Sequence, residues 1–392
     1  MRVLVAHPGL QHAHELAKAL HGAGALEQFW SGVPLTEFTG SSRAANARVP
    51  RWPTPIPGQY RRHFPVFPAL RRLALNGLPA TLSNVACHQL DHAFDRWTSH
   101  RIGRTTADMV VCYENAALKT FEAAKRRGMI CVLDAASIHH RAASGAFGAG
   151  LAANPQWVNR QKDQEIALAD AVLTCSPFAA ATYLANGVPE HKIYPCHLGT
   201  DLSAEQRLRP VRGLSSRFLF VGNLLPLKGV DILLDVFDAL HRDGVSAHLS
   251  LVGGGGDAAL MARARSMPNV GVQSFVRKPA LFDLMAQHDY LVLPSRFDSF
   301  GMVVPEAMSV GVPVIVSDRV GAKMIIEQHP SAGWIVPLER EALQARIRTL
   351  IDNPGWLKPA SAAALVAAQD YSWPAYRSRV VEVLHGIHKA AA

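Results

Sequence analysis

Two carboxylates eight positions apart, Asp298 and Glu306, frame the run Asp298-Ser-Phe-Gly-Met-Val-Val-Pro-Glu306. Far upstream a lysine, Lys228, stands in the glycine-bounded stretch Gly222-Asn223-Leu-Leu-Pro-Leu-Lys228-Gly229. A lysine in such a loop, just before a helix, is placed to neutralise a diphosphate, because a helix N-terminus presents free N–H groups and partial positive charge. The turn before Glu306 offers a similar cradle. Phe300-Gly301 puts a small residue where a ligand can approach the backbone, and Met302 and Val303 follow at the expected helix start. Asp298 before that helix and Glu306 one turn into it can both reach one side of the same crevice.

The elements that position these groups are legible in the hydrophobic pattern. Tyr290-Leu-Val-Leu-Pro294 suits a short buried parallel strand, with Ser295 to Ser299 as the polar turn at its end. The helix beginning near Met302 stops at Gly311, with Pro313 just beyond, and Val314 to Ser317 is the next buried strand. Upstream, Arg217 to Val221 reads as a strand feeding the Lys228 loop, and the helix from Val230 carries Ile232, Leu233, Val236, Phe237 and Leu240 on one face. His248 to Val252 enters a glycine turn at Gly253 to Gly256. Its spacing is a poor dinucleotide fingerprint, since no acidic residue ends a further strand about 20 positions later. Asn269 to Phe275 and the loop Val276-Arg277, a short helix at Leu281 to Met285, the turn Val320-Gly321-Ala322, a helix at Met324 to Gln328 and a last strand at Gly333 to Pro337 complete the set.

The N-terminal half reads as a second domain of the same kind. Arg2 to Ala6 is a strand, Gly9 permits a tight turn, and His12 opens a helix running to about His21. Residues 40 to 80 are a loop-rich excursion with one helix near Pro68 to Leu75. Asp108 to Cys112 and Met129 to Leu133 are strands flanking a helix from Ala116 to Arg127, and Asp134 ends the second, with His139 and His140 close behind. The polar stretch 202–216 is the expected linker, giving domains at 1–201 and 217–371.

These residues carry a resemblance. The Asp298–Met308 stretch is similar to the E-x7-E region of retaining GT-B glycosyltransferases, closest to glycosyltransferase family 4, with matches at Ser299, Phe300, Gly301, Glu306, Ala307 and Met308. The fold the resemblance implies is α/β, two doubly wound Rossmann-like domains facing across a cleft. A terminal helix, 372–392, is expected to pack back on the first. The implied activity is transfer of a sugar from a nucleotide-sugar donor to a glycan or lipid-linked acceptor, with retention at the anomeric carbon. Lys228 and the N–H groups around Phe300 to Val303 would stabilise the departing diphosphate, Glu306 would hold the ribose hydroxyls, and Asp298 would orient the sugar. Gly222, Asn223 and Arg277 complete the donor side. Gly9, His12, Asp134 and His140 are expected on the acceptor or sugar side. Three departures stand out: Asp298 replaces the family's first glutamate, Asn223 replaces an arginine that clamps the diphosphate, and Asp134 occupies the neighbourhood of a family histidine. Arg277 and Arg296 are candidates for the missing cation. No D-x-D pair occurs, so no metal and no cofactor is expected.

Composition bounds the rest. The chain has 392 residues, 49% apolar and 18% charged, with a formal charge of +9. Its longest apolar stretches fall short of a spanning helix. Five cysteines without a C-x-x-C pair fit free thiols in the cytoplasm. Between Arg43 and Arg104 arginines recur while Asp91 and Asp95 are the only carboxylates. Such a surface suits an anionic membrane, at the inner face of the cytoplasmic membrane, or a phosphate-bearing acceptor, with Arg43–Arg72 as the contact. No nucleic-acid motif accompanies the charge, so nucleic acid is not an expected partner. Two other readings remain open: a nucleotide-sugar epimerase or other enzyme of the same fold, and a non-catalytic membrane- or polyanion-binding protein.

Overall fold

Val3-Leu-Val-Ala-His7 is buried at every position, as a strand covered on both faces of a parallel sheet must be. The computed structural model of the chain describes residues 1–37, 52–65, 67–142, 154–202, 216–278 and 280–391. They form two units, one of residues 1–175, 180–196 and 376–392, the other of residues 176–179 and 197–375. Compared with the reading above, the terminal helix Trp373–Ala391 enters the first unit at Tyr376, and Ser176 to Ala179 join the second. The linker stretch 203–215 lies outside the described residues.

The first unit contains strands β1 (Val3–His7), β2 (Leu26–Ser31), β3 (Leu35–Glu37), β4 (Trp52–Thr54), β5 (Arg61–His63), β6 (Met109–Tyr113), β7 (Ile130–Ala135), β8 (Ala171–Thr174) and β9 (Ile193–Pro195). Seven of them make a parallel sheet in the order β5-β2-β1-β6-β7-β8-β9, and β3 and β4 pair separately. Its core gathers Trp30, Phe67, Phe94, Phe121 and Tyr183 against the strands. The excursion expected at 40–80 contains the short strands β4 and β5 and a helix, Phe67–Gly77. A long helix, Ala80–Ser99, follows, whose residues Leu90, Phe94 and Trp97 face the core. The terminal helix buries Tyr376, Val380, Leu384 and Ile387, a stripe of helical period, and Arg377 reaches Glu15 at 2.6 Å.

The second unit contains β10 (Arg217–Val221), β11 (His248–Val252), β12 (Val270–Gln273), β13 (Tyr290–Leu293), β14 (Val314–Ser317) and β15 (Gly333–Val336), all parallel in the order β12-β11-β10-β13-β14-β15. Each sheet therefore reverses its winding once, between β1 and β6 in the first and between β10 and β13 in the second. In open α/β sheets, ligands bind outside the carboxyl ends of the strands at such a reversal. The helix Val230–Arg242 buries Leu233, Leu234, Val236, Phe237 and Leu240, while Ile232 is only half-buried, so its inward face is turned slightly from the expected one. The helix after Phe300 is shorter than expected, Val303–Met308, and the chain turns through Gly311 at φ +72°.

The loop that ends at Lys228 is closed by Gly229, which has φ +73° and whose absent Cβ would stand 1.9 Å from the Pro294 carbonyl oxygen. Replacing it strains the backbone and pushes two loops apart together. Gly229→Ala is expected to destabilise the fold by ~2 kcal/mol, read as a lowered midpoint in chemical denaturation. An unchanged midpoint would show that the loops can separate freely.

Candidate functional site

At the winding reversal of the second sheet, β10 and β13 are neighbours although some seventy residues separate their loops. Lys228 ends the loop after β10 and Asp298 lies in the turn after β13. Lys228 Nζ donates to Asp298 Oδ2 at 2.7 Å, and both side chains are about one-fifth exposed (24% and 20%). Solvent can therefore reach the pair, as a ligand must.

The Asp298 backbone is fixed from the far side: its N–H donates to the Arg319 carbonyl and its own carbonyl accepts the Gly321 N–H. Next to it, Ser299 accepts the Ser176 hydroxyl at 2.6 Å. Phe300 is buried, and Gly301 takes φ +90° with Val320 where a Cβ would go. Glu306 is nearly buried on the helix that follows. Its Oε1 accepts Lys278 Nζ at 2.7 Å and the Thr200 hydroxyl at 3.4 Å. Two carboxylate–ammonium pairs thus stand at the two ends of the segment from Asp298 to Glu306.

Lys278 is the residue that sequence reasoning missed. It follows Arg277 in the loop after β12 and also stands 3.5 Å from Asp201. Arg277 itself is exposed and makes no ion pair among the described residues. Arg296 cannot supply the cation missing at Asn223. Its guanidinium makes two 2.6 Å bonds to Asp231 and a further bond to the Pro226 carbonyl, so it braces the Lys228 loop from outside. Asn223 is exposed. Gly222 (φ +154°) abuts Gly253, whose absent Cβ would stand 1.8 Å from the Gly222 carbonyl oxygen. The glycine turn after β11 is thus needed for packing against the Lys228 loop, whatever else it meets.

In the first unit the strand ends assemble a second group. His12 Nε2 and Asp134 Oδ2 are 2.7 Å apart and both residues are buried. Burial opposes charge on His12, but the Asp134 carboxylate, by charge and hydrogen bond, overrides it and raises the imidazole above its ordinary value. Gly9 donates its N–H to His7 Nδ1 at 2.8 Å, and His7 packs on Tyr113. Burial drives His7 down to about 3, with the His12 charge adding to the effect. Gln11, between them, adopts φ +33°, a strained value for a non-glycine residue.

His140 pairs with Asp163 at 3.1 Å and stacks on His139. The three side chains bring ligand atoms within 4.8 Å of one another. Arg141 already balances Asp163 at 2.9 Å, which disfavours a cation there. Glu165, on the helix Gln156–Leu168, is fully buried and accepts the N–H groups of Asn115, Ala117 and Leu118, clasping the turn after β6. Burial pushes its carboxyl up to about 7. Its sequence signal was a lone glutamate on the inward face of a helix.

Residues 215–353 match the family described as glycosyl transferases group 1. A D-inositol 3-phosphate glycosyltransferase of Jonesia denitrificans is 31% identical over 215 residues, 49% of this chain and 50% of that protein. One from Catenulispora acidiphila is 27% identical over 92% of this chain and 87% of its own length. The chain spans about half the length, or less, of the first curated relatives it matches. Among solved structures, a sucrose-phosphate synthase from Thermosynechococcus elongatus superposes over all of both chains with a TM-score of 0.67 at 15% identity. Anabaena HepE in complex with UDP and glucose does so over 98% of this chain and 99% of its own, with a TM-score of 0.63 at 17% identity. At such identities the superpositions establish the fold, and that fold is GT-B.

The buried His7 titrates with a definite sign. Its folded value of about 3 lies below its unfolded value of 6.5, so the unfolded chain binds more protons in acid. The stability it contributes is complete above pH 6.5 and is lost as pH falls toward 3. His7→Gln is expected to lose less stability than wild type between pH 7.5 and pH 5, measured by urea denaturation. Parallel pH profiles for the two proteins would contradict a neutral buried His7.

Proposed function

We propose that this chain, which belongs with the GT-B glycosyltransferases, transfers a sugar from a nucleotide-sugar donor to a glycan or lipid-linked acceptor with retention at the anomeric carbon. The observation that carries this reading is the Lys228–Asp298 pair at the winding reversal of the second sheet, with the Lys278–Glu306 pair on the helix that follows Asp298. A donor's diphosphate would draw the Lys228 ammonium from Asp298 and leave that carboxylate to accept sugar hydroxyls. Glu306 would accept the two ribose hydroxyls while Lys278 remains beside it and supplies positive charge where Asn223 supplies none. As the bond from the anomeric carbon to the diphosphate oxygen breaks, negative charge grows on that oxygen. Lys228 stabilises it more in the transition state than in the ground state, which is how binding becomes rate.

The roles of Gly222, Arg277, Phe300, Gly301, Met302 and Val303 in holding the donor belong to the same reading, as do Gly9, His12, Asp134 and His140 on the acceptor or sugar side. No metal or cofactor is invoked. Among the described residues no helix is long and apolar enough to cross a membrane. Work at the inner face of the cytoplasmic membrane, through the arginine-rich segment, is likewise part of the proposal. Arg43 lies outside the described residues, and Arg71 is tied to Asp91 at 3.2 Å.

The His12–Asp134 pair brings a second stereochemical reading into view, since a carboxylate-oriented imidazole can deprotonate an acceptor for single displacement with inversion. Its raised value works against that role, because the Asp134 carboxylate favours the protonated ring. The anomeric configuration of the product, read by NMR, decides between the two.

Lys228→Ala removes the leaving-group cation from a partly exposed loop side chain outside the core, so folding is expected to survive. The turnover rate should fall by roughly two orders of magnitude or more, and a rate within about threefold of wild type would exclude the diphosphate role. Glu306→Gln keeps the shape and loses the charge. It should raise the donor KM about tenfold or more, with a smaller change in kcat, as a lost hydrogen bond to a charged acceptor implies. An unchanged donor KM would remove the ribose assignment.

A further inference from the structure

Four arginines of the first unit line two adjoining hollows and have no carboxylate partner among the described residues. Arg61, Arg62, His63, Pro65, Trp97 and Arg101 line a hollow of about 320 Å³. An adjoining hollow of about 100 Å³ shares Arg62 and Arg101 and adds Arg104, Trp30, Gln28 and Glu27. None of the four arginines makes an ion pair among the described residues, whereas Arg71, Arg141, Arg296 and Arg377 of the same chain all do.

The arrangement is built rather than frayed. Arg62 Nε donates to Gln28 Oε1 at 3.1 Å, Arg101 Nη1 donates to the Trp97 carbonyl at 3.2 Å, and the Arg101 guanidinium lies 4.6 Å over the Trp97 ring. Trp97 is held in turn by Trp30 and Phe64. Arg61 Nε is buried with no hydrogen-bond partner, and a buried unpaired donor is costly unless something accepts from it. Glu27, the one carboxylate in the lining, already accepts the Thr106 N–H and hydroxyl.

The place is as informative as the charge. Arg61 and Arg62 lie on the edge strand β5, Glu27 and Gln28 begin β2, and Arg101 and Arg104 sit in the turn that precedes β6. Arg61 and Arg62 pair with Phe29 and Trp30 in the carboxyl half of β2, while Arg101 and Arg104 lie ahead of β6, so the hollow runs along the edge of the sheet. His7, His12 and Asp134 sit at the carboxyl ends of its strands. None of the residues lining the arginine hollow belongs to that group.

We propose that the hollow binds a phosphomonoester, carried either by a soluble metabolite or by a lipid headgroup. Guanidinium forks match a phosphoryl group's oxygens two at a time. Arg62 and Arg101, shared by both hollows, would grip it, with Arg104 at the rim. Binding relieves the mutual repulsion of the cations. The inference does not depend on sugar transfer by the other unit.

The test is calorimetric titration of the full chain with glycerol 3-phosphate at fixed ionic strength, beside sedimentation with phosphatidylcholine vesicles with and without phosphatidic acid. Saturable binding to either probe is expected, and the probe that binds identifies the source of the phosphoryl group. Arg62→Gln with Arg101→Gln should weaken it about tenfold or more. Because Arg101 packs on Trp97, the exposed pair Arg62→Gln with Arg104→Gln serves as a second variant, with folding checked by circular dichroism. Titration of each variant with UDP reports separately on the other unit. Absence of saturable binding to both probes, or binding to a folded variant as tight as to wild type, overturns the proposal.

Discussion

The close approach of bare backbone at the strand ends of the second unit is the constraint on which its site depends. Gly229 touches the Pro294 carbonyl, Gly253 touches the Gly222 carbonyl, and Gly321 leaves only 2.1 Å between its missing Cβ and the Ser299 carbonyl. These contacts draw the loops after β10, β11, β13 and β14 into one layer. Within that layer a lysine and an aspartate seventy residues apart come within hydrogen-bond distance. Side chains at these glycines would hold the loops apart, and the ion pair would be the first casualty.

Around that layer, charge is arranged in pairs of unequal freedom. Arg296 and Asp231 are locked by two short bonds and brace the Lys228 loop. Lys228 with Asp298, and Lys278 with Glu306, each make a single short contact. A bidentate guanidinium pair is geometrically committed, whereas an ammonium on a flexible stem can change partners at modest cost. Arginine at the brace and lysine at the proposed donor site fit that difference.

Much of this was legible in the sequence, for physical reasons. Strands buried on both faces read as unbroken apolar runs, which is why β1, β6, β10, β13 and β14 were visible. Lys228, Asp298 and Glu306 were found because helix starts and glycine turns mark where strand ends present side chains. Strand β2 was hidden because Glu27 and Gln28 interrupt its apolar pattern before Phe29 and Trp30. The helix Ala80–Ser99 was missed because Leu82 and Val85 are exposed and its inward stripe begins only at Leu90. Lys278 had no local signal: its partnership with Glu306 exists only after the β12 loop folds onto another element. The pairing of His12 with Asp134, 122 residues apart, likewise required the sheet order to be known.

The terminal helix carries a consequence for how the chain is made. Its residues Tyr376, Val380, Leu384 and Ile387 are buried in the first unit, and Arg377 bonds Glu15 across 362 positions of sequence. A ribosome adds roughly 5–20 residues per second, and domains generally fold as they emerge. The second unit is complete by residue 375, before the last piece of the first has been synthesised. The first unit must therefore wait, with the groove for that helix open, while its successor folds. Truncation near residue 375 is expected to harm the unit that was translated first.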